Sequence, residues 1–324
     1  ATPTTENLRA VSGREGSGLA SRLFLAVGDN GSVLRSTDFA AATWTALDAG
    51  TTADLTAVSV GLDVADVVGA GGTFLVYRTD LGDPQPSWHV VSGALADLHG
   101  VWDTANNAYG VGGGGTMVRV ATGNTPLSAV TIPPTAPASP ELRGADGVFE
   151  HPGEQFQSVI WAVDEDGAIA RALDDDGPQL PYVLEESGTS ATLRDVYATS
   201  DPLTKARTLV AVGDGGTILT STGDGSWTAE ASGTTVDLHA VFGVFASQIY
   251  VVGDHGTILR RSEDGWIAEP SGTTVALRGG CVIIEAAGGY SRVVVGDEGV
   301  PMGRFVSRNH STGGSPSAGF RSQT

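Results

Sequence analysis

The stretch Val212-Gly213-Asp214-Gly215-Gly216-Thr217-Ile218-Leu219 decides the fold, because it recurs along the chain at a regular interval. Other copies begin at Val27, Val68, Val111, Val163, Val252 and Val295. The last glycine of each copy stands at Gly31, Gly72, Gly115, Gly167, Gly216, Gly256 and Gly299, so that successive copies are 40 to 52 residues apart. A fixed period of this length indicates an array of similar structural units.

Two further landmarks repeat with the same period. Each unit opens on a leucine followed by a short apolar run, at Leu8, Leu55, Leu98, Leu142, Leu193, Leu238 and Leu277. A bulky residue starts the last strand of five units, at Trp44, Trp88, Tyr182, Trp227 and Trp266. The repeat therefore predicts four short strands in each unit. The Gly-Asp-x-Gly turn between the second and third strands supplies the positive φ angles of a tight hairpin. No segment shows a helical apolar rhythm. The sequence predicts an all-β, seven-bladed β-propeller with four-stranded antiparallel blades, covering residues 1–305.

The two ends of the chain depart from the repeat. The last unit has only three predicted strands, and the segment Thr4-Thr5-Glu6-Asn7-Leu8 resembles Thr234-Thr235-Val236-Asp237-Leu238. We therefore expect an N-terminal strand to complete the last blade and close the ring. Residues 306–324 form a basic, Ser- and Gly-rich tail with Arg308 and Arg321 and no acidic residue. This tail predicts either a docking arm or a frayed end.

Charge and composition exclude several classes of function. The formal net charge of −19 disfavours nucleic acid as a partner, because a phosphate backbone would be repelled. No apolar stretch is long enough for a transmembrane helix, so the protein is expected at most at the periphery of a membrane. Cys281 is the only cysteine, which rules out an intrachain disulfide. The first residues lack an initiator Met and resemble a processed end, which favours a periplasmic or lumenal, extracytoplasmic location.

Basic residues recur immediately after the opening leucine of each unit. Around the ring this position holds Arg9, Thr56, His99, Arg143, Arg194, His239 and Arg278. In a propeller these side chains meet at one mouth of the central channel, inside an outer ring of turn acids at Asp29, Glu165, Asp214, Asp254 and Asp297. Such a cluster suits an anion, an acidic sugar or a carboxylate-rich loop of a partner. The alternative is structural, with each arginine bonded to neighbouring carbonyls or to the turn aspartate of the next blade.

Patterns that would indicate an enzyme are weak. Tyr182 and Glu185 are available as a sialidase-type nucleophile pair, but nothing in their surroundings distinguishes them. His99 and His239 are the one candidate acid–base pair of a polysaccharide lyase. The scattered histidines have no zinc-ligand spacing. We therefore predict no catalytic residue, no metal and no cofactor.

The motifs Leu-Arg-x-Val, Val-Gly-Asp-x-Gly-Thr-Ile-Leu and Trp-Thr-x-x-x-Ser-Gly-Thr-Thr resemble the propeller family of photosystem II stability and assembly factors. The resemblance covers about residues 1–305 and is clearest over 193–276. Eroded copies of the sialidase-type Asp-box remain at Ser36-Thr37-Asp38 with Thr43-Trp44 and at 262–266. The resemblance implies a non-catalytic lumenal or periplasmic propeller that docks on subunits of a membrane complex. It also implies a docking role for Arg143, Arg194 and Arg278.

Two functional hypotheses follow from the sequence. The first is a non-catalytic subunit or assembly factor that docks on and stabilises a membrane protein complex, with a photosynthetic reaction-centre complex as one candidate. Its predicted contact residues are the basic residues of the inner strands and the tail arginines Arg308 and Arg321. The second is a carbohydrate-active propeller, either a lectin for acidic glycans or a lyase that uses His99 and His239.

Overall fold

Each repeat unit folds into a small antiparallel sheet whose strands pair in the order in which they occur along the chain. The structure, a computed structural model, describes residues 3–15, 22–37, 43–61, 64–78, 87–91, 96–104, 106–122, 127, 129–132, 141–150, 157–174, 181–284, 290–299 and 301–307. For residues 15, 22, 129–132 and 301–307 the description covers the backbone alone.

The strands are grouped into sheets as follows. The first sheet contains β1 (Leu8–Glu15), β2 (Arg22–Gly28), β3 (Val33–Ser36) and β4 (Thr45–Leu47). The second contains β5 (Leu55–Val60), β6 (Val64–Gly69), β7 (Thr73–Arg78) and β8 (Ser87–Val90). The third contains β9 (Leu98–Asp103), β10 (Asn107–Gly112), β11 (Thr116–Ala121) and β12 (Ala129–Ile132). The fourth contains β13 (Leu142–Glu150), β14 (Gln157–Asp164), β15 (Ile169–Asp174) and β16 (Tyr182–Glu185).

The remaining sheets follow the same order. The fifth contains β17 (Leu193–Ser200), β18 (Arg207–Gly213), β19 (Ile218–Ser221) and β20 (Thr228–Glu230). The sixth contains β21 (Leu238–Gly243), β22 (Ile249–Gly253), β23 (Thr257–Ser262) and β24 (Gly265–Glu269). The last sheet contains β25 (Leu277–Ile284), β26 (Tyr290–Gly296) and β27 (Pro301–Ser307).

The repeated glycine motif forms a turn between the second and third strands of each unit. In six units this turn is a single 3-10 turn, at Asp29–Gly31, Ala70–Gly72, Gly113–Gly115, Asp214–Gly216, Asp254–Gly256 and Asp297–Gly299. We call the face that carries these turns the turn face, and the opposite end of the strands the hairpin face. Across the described ranges these 3-10 turns are the helical elements, and no helix has the length and apolar character needed to cross a membrane.

The core lies in the gaps between neighbouring sheets. Each gap between consecutive sheets holds one hydrophobic cluster of described residues, such as the cluster of Val210, Leu238 and Val251 between the fifth and sixth sheets. The first and last sheets share a cluster of the same kind, in which Leu8 and Phe24 pack with Val295. The sheets therefore form a closed circle in which apolar side chains cover both faces of every sheet.

The predicted seven-bladed propeller, with four strands in every blade and an N-terminal strand that closes the ring, is wrong. Six sheets are complete four-stranded blades, whereas the last sheet has three strands. Residues 3–7 contain no strand. The circle is closed instead by the side-by-side packing of the first and last sheets. A hydrogen bond from the backbone N–H of Glu298 to Asn7 Oδ1, 3.1 Å long, joins the same two sheets.

The reason for the error lies in what the N-terminal segment resembles. The segment Thr234–Asp237, to which it was matched, lies after β20 has ended at Glu230 and is itself a turn. In that turn the N–H of Val236 donates to Thr234 Oγ1, and the N–H of Glu6 donates to Thr4 Oγ1 in the same way. The N-terminal residues therefore reproduce the connection that follows an outer strand, and not the strand itself.

The tail prediction falls mostly outside the described residues. Strand β27 ends at Ser307, two residues beyond the predicted boundary of the propeller at residue 305. Arg308 and Arg321 belong to residues 308–324, which lie outside the described part of the chain. The tail's role as a docking arm or a frayed end stays a prediction.

Gly213 and Gly215 allow a test of what the turn motif requires. Gly213 has an extended backbone with φ −169°, but a Cβ there would lie 2.1 Å from the carbonyl oxygen of Thr192. Gly215 has φ 64° and open space around a Cβ, and Asn30 occupies the equivalent place in the first sheet with φ 54°. We expect Gly213→Ala to lower the free energy of unfolding by about 1–3 kcal/mol through overpacking. We expect Gly215→Asn, which places a tolerant residue in the left-handed region, to cost less than about 1 kcal/mol.

Urea unfolding followed by tryptophan fluorescence measures both changes. Equal destabilisation by the two variants would show that the left-handed backbone, and not the close approach of Gly213 to Thr192, is the main constraint in this turn.

Candidate functional site at the channel mouth

The inner strands of all the sheets surround a central channel with a volume of about 380 Å³. The channel is narrow because the second residue after each opening leucine is small in six of the units, as at Gly100 and Gly144. A Cβ at Gly144 would lie 2.6 Å from Cα of Asp195 on the next inner strand. Close contact between neighbouring inner strands therefore brings the residues that follow each leucine together.

The structure places every predicted channel residue on the wall of this channel. Arg9, Thr56, His99, Arg143, Arg194, His239 and Arg278 all line it, each one residue after its opening leucine. We call the end of the channel that these residues surround the channel mouth. The mouth lies on the turn face, because these side chains contact turn residues of their own sheets.

All six basic side chains at the mouth are bonded to carboxylates. Five of them bond the turn acid of their own sheet, in the pairs Arg9–Asp29 (2.5 Å), Arg143–Glu165 (2.7 Å), Arg194–Asp214 (2.5 Å), His239–Asp254 (2.7 Å) and Arg278–Asp297 (2.9 Å). The third turn has Gly113 in place of the acid, as the second turn has Ala70, and His99 bonds Glu141 of the following unit instead, at 2.8 Å. The basic residues are therefore held in ion pairs, but five of the six partners are turn acids of the same sheet and not of the next blade, as the structural alternative had it.

These pairs still leave the guanidinium groups accessible. The arginine side chains are between 33% exposed at Arg278 and 45% exposed at Arg9. Arg278 makes a two-pronged contact to Asp297, whose hydrogen bond raises the pKa of the arginine further. Arg143, in contrast, contacts Glu165 through Nη2. An anion that binds at the mouth must share or displace these carboxylates.

His239 differs from the other basic residues because it contacts both signs of charge. Its Nε2 lies 2.7 Å from Asp254 Oδ1 and 2.9 Å from Nη1 of Arg278. Burial lowers the pKa of the imidazole, and the Arg278 charge lowers it further, although Asp254 opposes both effects. In one neutral tautomer, Nε2 of His239 carries the proton and donates to Asp254. In the other, the same nitrogen is unprotonated and accepts from Arg278, so no single neutral tautomer makes both bonds.

Sequence reasoning missed a second set of acids, which precede the opening leucines. Asp54 Oδ1 accepts the N–H of Asn30 at 2.9 Å, and Asp237 Oδ1 accepts the N–H of Gly215 at the same distance. Asp97 accepts the N–H of Gly71 in the same way, and Asn7 that of Glu298. Each of these side chains ties its own sheet to the turn of the preceding sheet. The recurrence of an acid before the leucine was the signal available in the sequence.

Carboxylates also lie within the channel wall, and the sequence analysis did not single them out. Asp146 accepts hydrogen bonds from the N–H groups of Gly147 and Ala198, and Asp195 accepts from those of Val196 and Val241. Two of these bonds join neighbouring inner strands. Burial raises the pKa of Asp146 to about 8 and that of Asp195 to about 7. The two aspartates stand at different offsets from their opening leucines, so no repeated position marked them in the sequence.

Acidic groups outnumber arginines around the mouth. The carboxylates there are Asp29, Asp54, Asp97, Glu141, Glu165, Asp214, Asp237, Asp254 and Asp297. Set against Arg9, Arg143, Arg194 and Arg278, nine negative groups face four permanent positive ones. The arginines line the channel, and these acids lie outside its lining. The mouth therefore has a basic centre within a surface of net negative charge.

The residues considered for catalysis are held in structural contacts. Tyr182 is buried, and the two oxygens of Glu185 accept hydrogen bonds from Arg171 Nε and Trp227 Nε1. His99 and His239, which belong to the third and sixth sheets, each have Nε2 bonded to a carboxylate. In the described ranges no three His, Cys, Asp or Glu side chains are grouped to hold a metal ion. No observation here favours the carbohydrate-active hypothesis.

Comparison with known proteins supports the fold and leaves the family open. No family model matches the chain. No curated protein sequence matches it either. Among solved structures, "YCF48 bound to D1 peptide" superimposes with a TM-score of 0.66 at 16% identity, covering 96% of each chain. The "Crystal structure of WD40 beta propeller domain of Doa1" superimposes with a TM-score of 0.65 at 13% identity, covering 96% of this chain and 95% of that one. At these identities the likeness shows that the chain has a β-propeller fold.

The raised pKa of Asp146 predicts a defined pH dependence of stability. Between the ordinary aspartate pKa near 4 and about 8, the folded state binds more protons at this site than the unfolded state does. The contribution of Asp146 is therefore fully present below pH ~4 and is lost as the pH rises through this window. The amide introduced by Asp146→Asn cannot ionise but keeps an oxygen that accepts from Ala198. We expect the stability of this variant, relative to wild type, to increase with pH by at most about 1.4 kcal/mol per unit.

Urea unfolding at a series of pH values measures this difference. Asp264→Asn removes the same charge from an exposed hairpin and serves as the control. A constant difference between Asp146→Asn and wild type from pH 4 to pH 8 would contradict the prediction.

Proposed function

We propose that the protein is a non-catalytic propeller that docks on and stabilises a membrane protein complex from the extracytoplasmic side, without spanning the membrane. A photosynthetic reaction-centre complex is one candidate, because the sequence motifs resemble the assembly-factor family and one similar solved structure is YCF48 bound to a D1 peptide. The YCF48 structure, with its D1 peptide, supports a binding role for this fold, although a fold alone does not determine function.

The observation that carries the proposal is the charged channel mouth. Its side chains are held by ion pairs, and its acids are further fixed by hydrogen bonds between sheets. A surface that is already ordered loses little conformational freedom when a partner binds. Exposed charges on such a rigid surface direct association and select the partner by complementary sign.

The charge balance favours a partner segment that presents basic side chains. Asp54, Glu165 and Asp237 have the most exposed side chains among the acids that form ion pairs at the mouth, at 47%, 46% and 39%. The arginines at the centre can then receive a carboxylate of the same segment. A purely acidic ligand, the occupant first expected from the arginine positions, competes with carboxylates that are already in place.

Neutralising two mouth carboxylates tests this assignment. In Asp54→Asn/Asp237→Asn the amide oxygens can still accept from Asn30 and Gly215, so the ties between sheets are kept. We expect the amount of partner complex isolated from the protein's own native membranes to fall several-fold at low salt. We also expect wild-type binding to weaken as salt rises, since exposed charges are screened beyond about 10 Å at 0.1 M.

The double variant Glu263→Gln/Asp264→Asn is the matched control. It removes two exposed carboxylates from the hairpin between β23 and β24, on the hairpin face, and it should bind like wild type. If wild type is isolated without any membrane-complex subunit, the proposed function is wrong. If both double variants bind like wild type, the partner does not use the channel mouth.

A further inference from the structure

Three basic side chains of the channel mouth lie on consecutive inner strands. Arg194 is on β17, His239 on β21 and Arg278 on β25, and all three line the channel. The side chains of Arg194 and Arg278 are 35% and 33% exposed, whereas that of His239 is 7% exposed. We call these three residues the central cluster. It consists of one nearly buried imidazole between two accessible guanidinium groups.

Both guanidinium groups of the central cluster keep unused donors. Arg194 bonds Asp214 through Nε, and its two Nη atoms make no hydrogen bond to any described residue. Arg278 bonds Asp297 through Nε and Nη2, and it bonds His239 through Nη1. A guanidinium group carries five N–H donors, so each arginine can donate to a further carboxylate oxygen while its own ion pair stays intact.

His239 controls one of these donors through its own proton. Nη1 of Arg278 lies 2.9 Å from Nε2 of His239 and 3.5 Å from Nδ1, and Nε2 lies 2.7 Å from Asp254 Oδ1. A neutral imidazole offers one acceptor nitrogen, whereas a protonated imidazole offers none. Protonation of His239 therefore keeps the bond to Asp254 and releases Nη1 of Arg278.

The charges around His239 oppose this protonation in the free protein. Burial lowers the pKa of the imidazole, and the charges of Arg278 and Arg194 lower it further, whereas Asp254 raises it. A carboxylate bound by the two arginines would offset their charges and so favour the protonated imidazole. The other titratable groups at this place are Asp214, Asp237 and Asp297 on the arginines, His255 beside Asp254, and Asp195 beside Arg194 in the channel wall.

We propose that Arg194 and Arg278 bind a carboxylate of the partner segment, and that His239 takes up a proton from solvent when this carboxylate binds. The inference rests on the proposed function and deepens it, because it names the residues that receive the acidic group of the segment. Between the pKa of His239 in the free protein and its pKa in the complex, the complex holds one more proton. Within this window the Kd therefore rises with pH, by at most about tenfold per pH unit.

A small carboxylate can test the site without the partner. N-acetyl-glutamate α-amide has a single carboxyl group with an ordinary pKa of about 4.3, so it stays ionised from about pH 5.5 to about pH 8. N-acetyl-glutamine α-amide has the same shape without the charge. Titration of each compound into the 15N-labelled full chain, at a series of pH values, gives the Kd from the arginine side-chain signals. The ring nitrogens of His239 give its pKa with and without the compound.

We expect the glutamate compound to bind about tenfold more tightly near pH 5.5 than near pH 8, and to raise the pKa of His239 by the corresponding amount, since linkage is reciprocal. His239→Gln can donate to Asp254 and accept from Arg278 but cannot take up the proton. We expect this variant to lose the tight binding near pH 5.5. Any pH dependence that it retains belongs to other groups, such as Asp195 with its pKa of about 7.

His89→Gln is the matched control. His89 lies on the outer strand β8, bonds Ser87 and does not line the channel. The same substitution there should leave the pH dependence of the Kd as in wild type.

Several results would overturn the proposal. Failure of the glutamate compound to bind at any pH, or equal binding of the glutamine compound, removes the carboxylate site. The same pH dependence in wild type and His239→Gln assigns the proton to another group. A pKa of His239 that does not move at saturating glutamate compound does so too, and this measurement needs only the wild-type chain.

The proposed function fails separately from this site. If the glutamate compound binds with proton uptake but no membrane-complex subunit is isolated with the wild-type chain, the carboxylate site stands and the proposed function is wrong. If a subunit is isolated but the compound shows no coupling to His239, the present inference alone is wrong.

Discussion

The sideways packing of one sheet against the next is the interaction on which the whole molecule depends. Most strands are three to eight residues long, and an isolated sheet of this size would expose apolar side chains on both faces. Burial occurs only because the clusters between sheets continue around the circle, including the cluster that Leu8 and Phe24 share with Val295. The small residues on the inner strands, such as Gly144, allow the sheets to approach closely enough for this packing. The same close packing of the sheets arranges the inner strands around the narrow channel and its mouth.

The fold was readable from the sequence because its requirements recur in every unit. Gly213 is needed where the turn touches the carbonyl of Thr192, and equivalent contacts place Gly28, Gly69 and Gly253. Because the same glycine is required at the same place in successive units, the repeat is recognisable in the sequence even where the neighbouring residues differ. The three strands of the last unit were predicted correctly, but the fourth strand assigned to the N-terminal segment was wrong. The segment Thr4–Asn7 resembles the turn that follows an outer strand in other units. This resemblance was wrongly interpreted as evidence for the outer strand itself.

The sequence predicted which residues line the channel mouth, but not that their side chains are held in ion pairs. Counting one residue from each leucine located all six basic side chains of the mouth, since strands in equivalent places present equivalent residues to the channel. Whether Arg194 is free or bonded to Asp214 depends on a distance of a few ångströms that the repeat spacing does not encode. The acids in the channel wall were missed because Asp146 and Asp195 stand at different offsets from their leucines, so no repeat marks them.

The three-stranded last sheet gives the circle a sector that is thinner than the rest. In the gap beside it, the Trp44 indole has no acceptor among the described residues, whereas Trp227 and Trp266 each donate to a glutamate of the preceding sheet. Every other pair of neighbouring sheets is consecutive along the chain, but the first and last sheets are not. The two are held side by side by non-covalent contacts, chiefly the cluster of Leu8, Phe24 and Val295 and the hydrogen bond between Glu298 and Asn7. A closed circle can open at this junction without pulling on a connecting segment, so substitutions in this cluster are expected to act on the unfolding rate of the whole molecule.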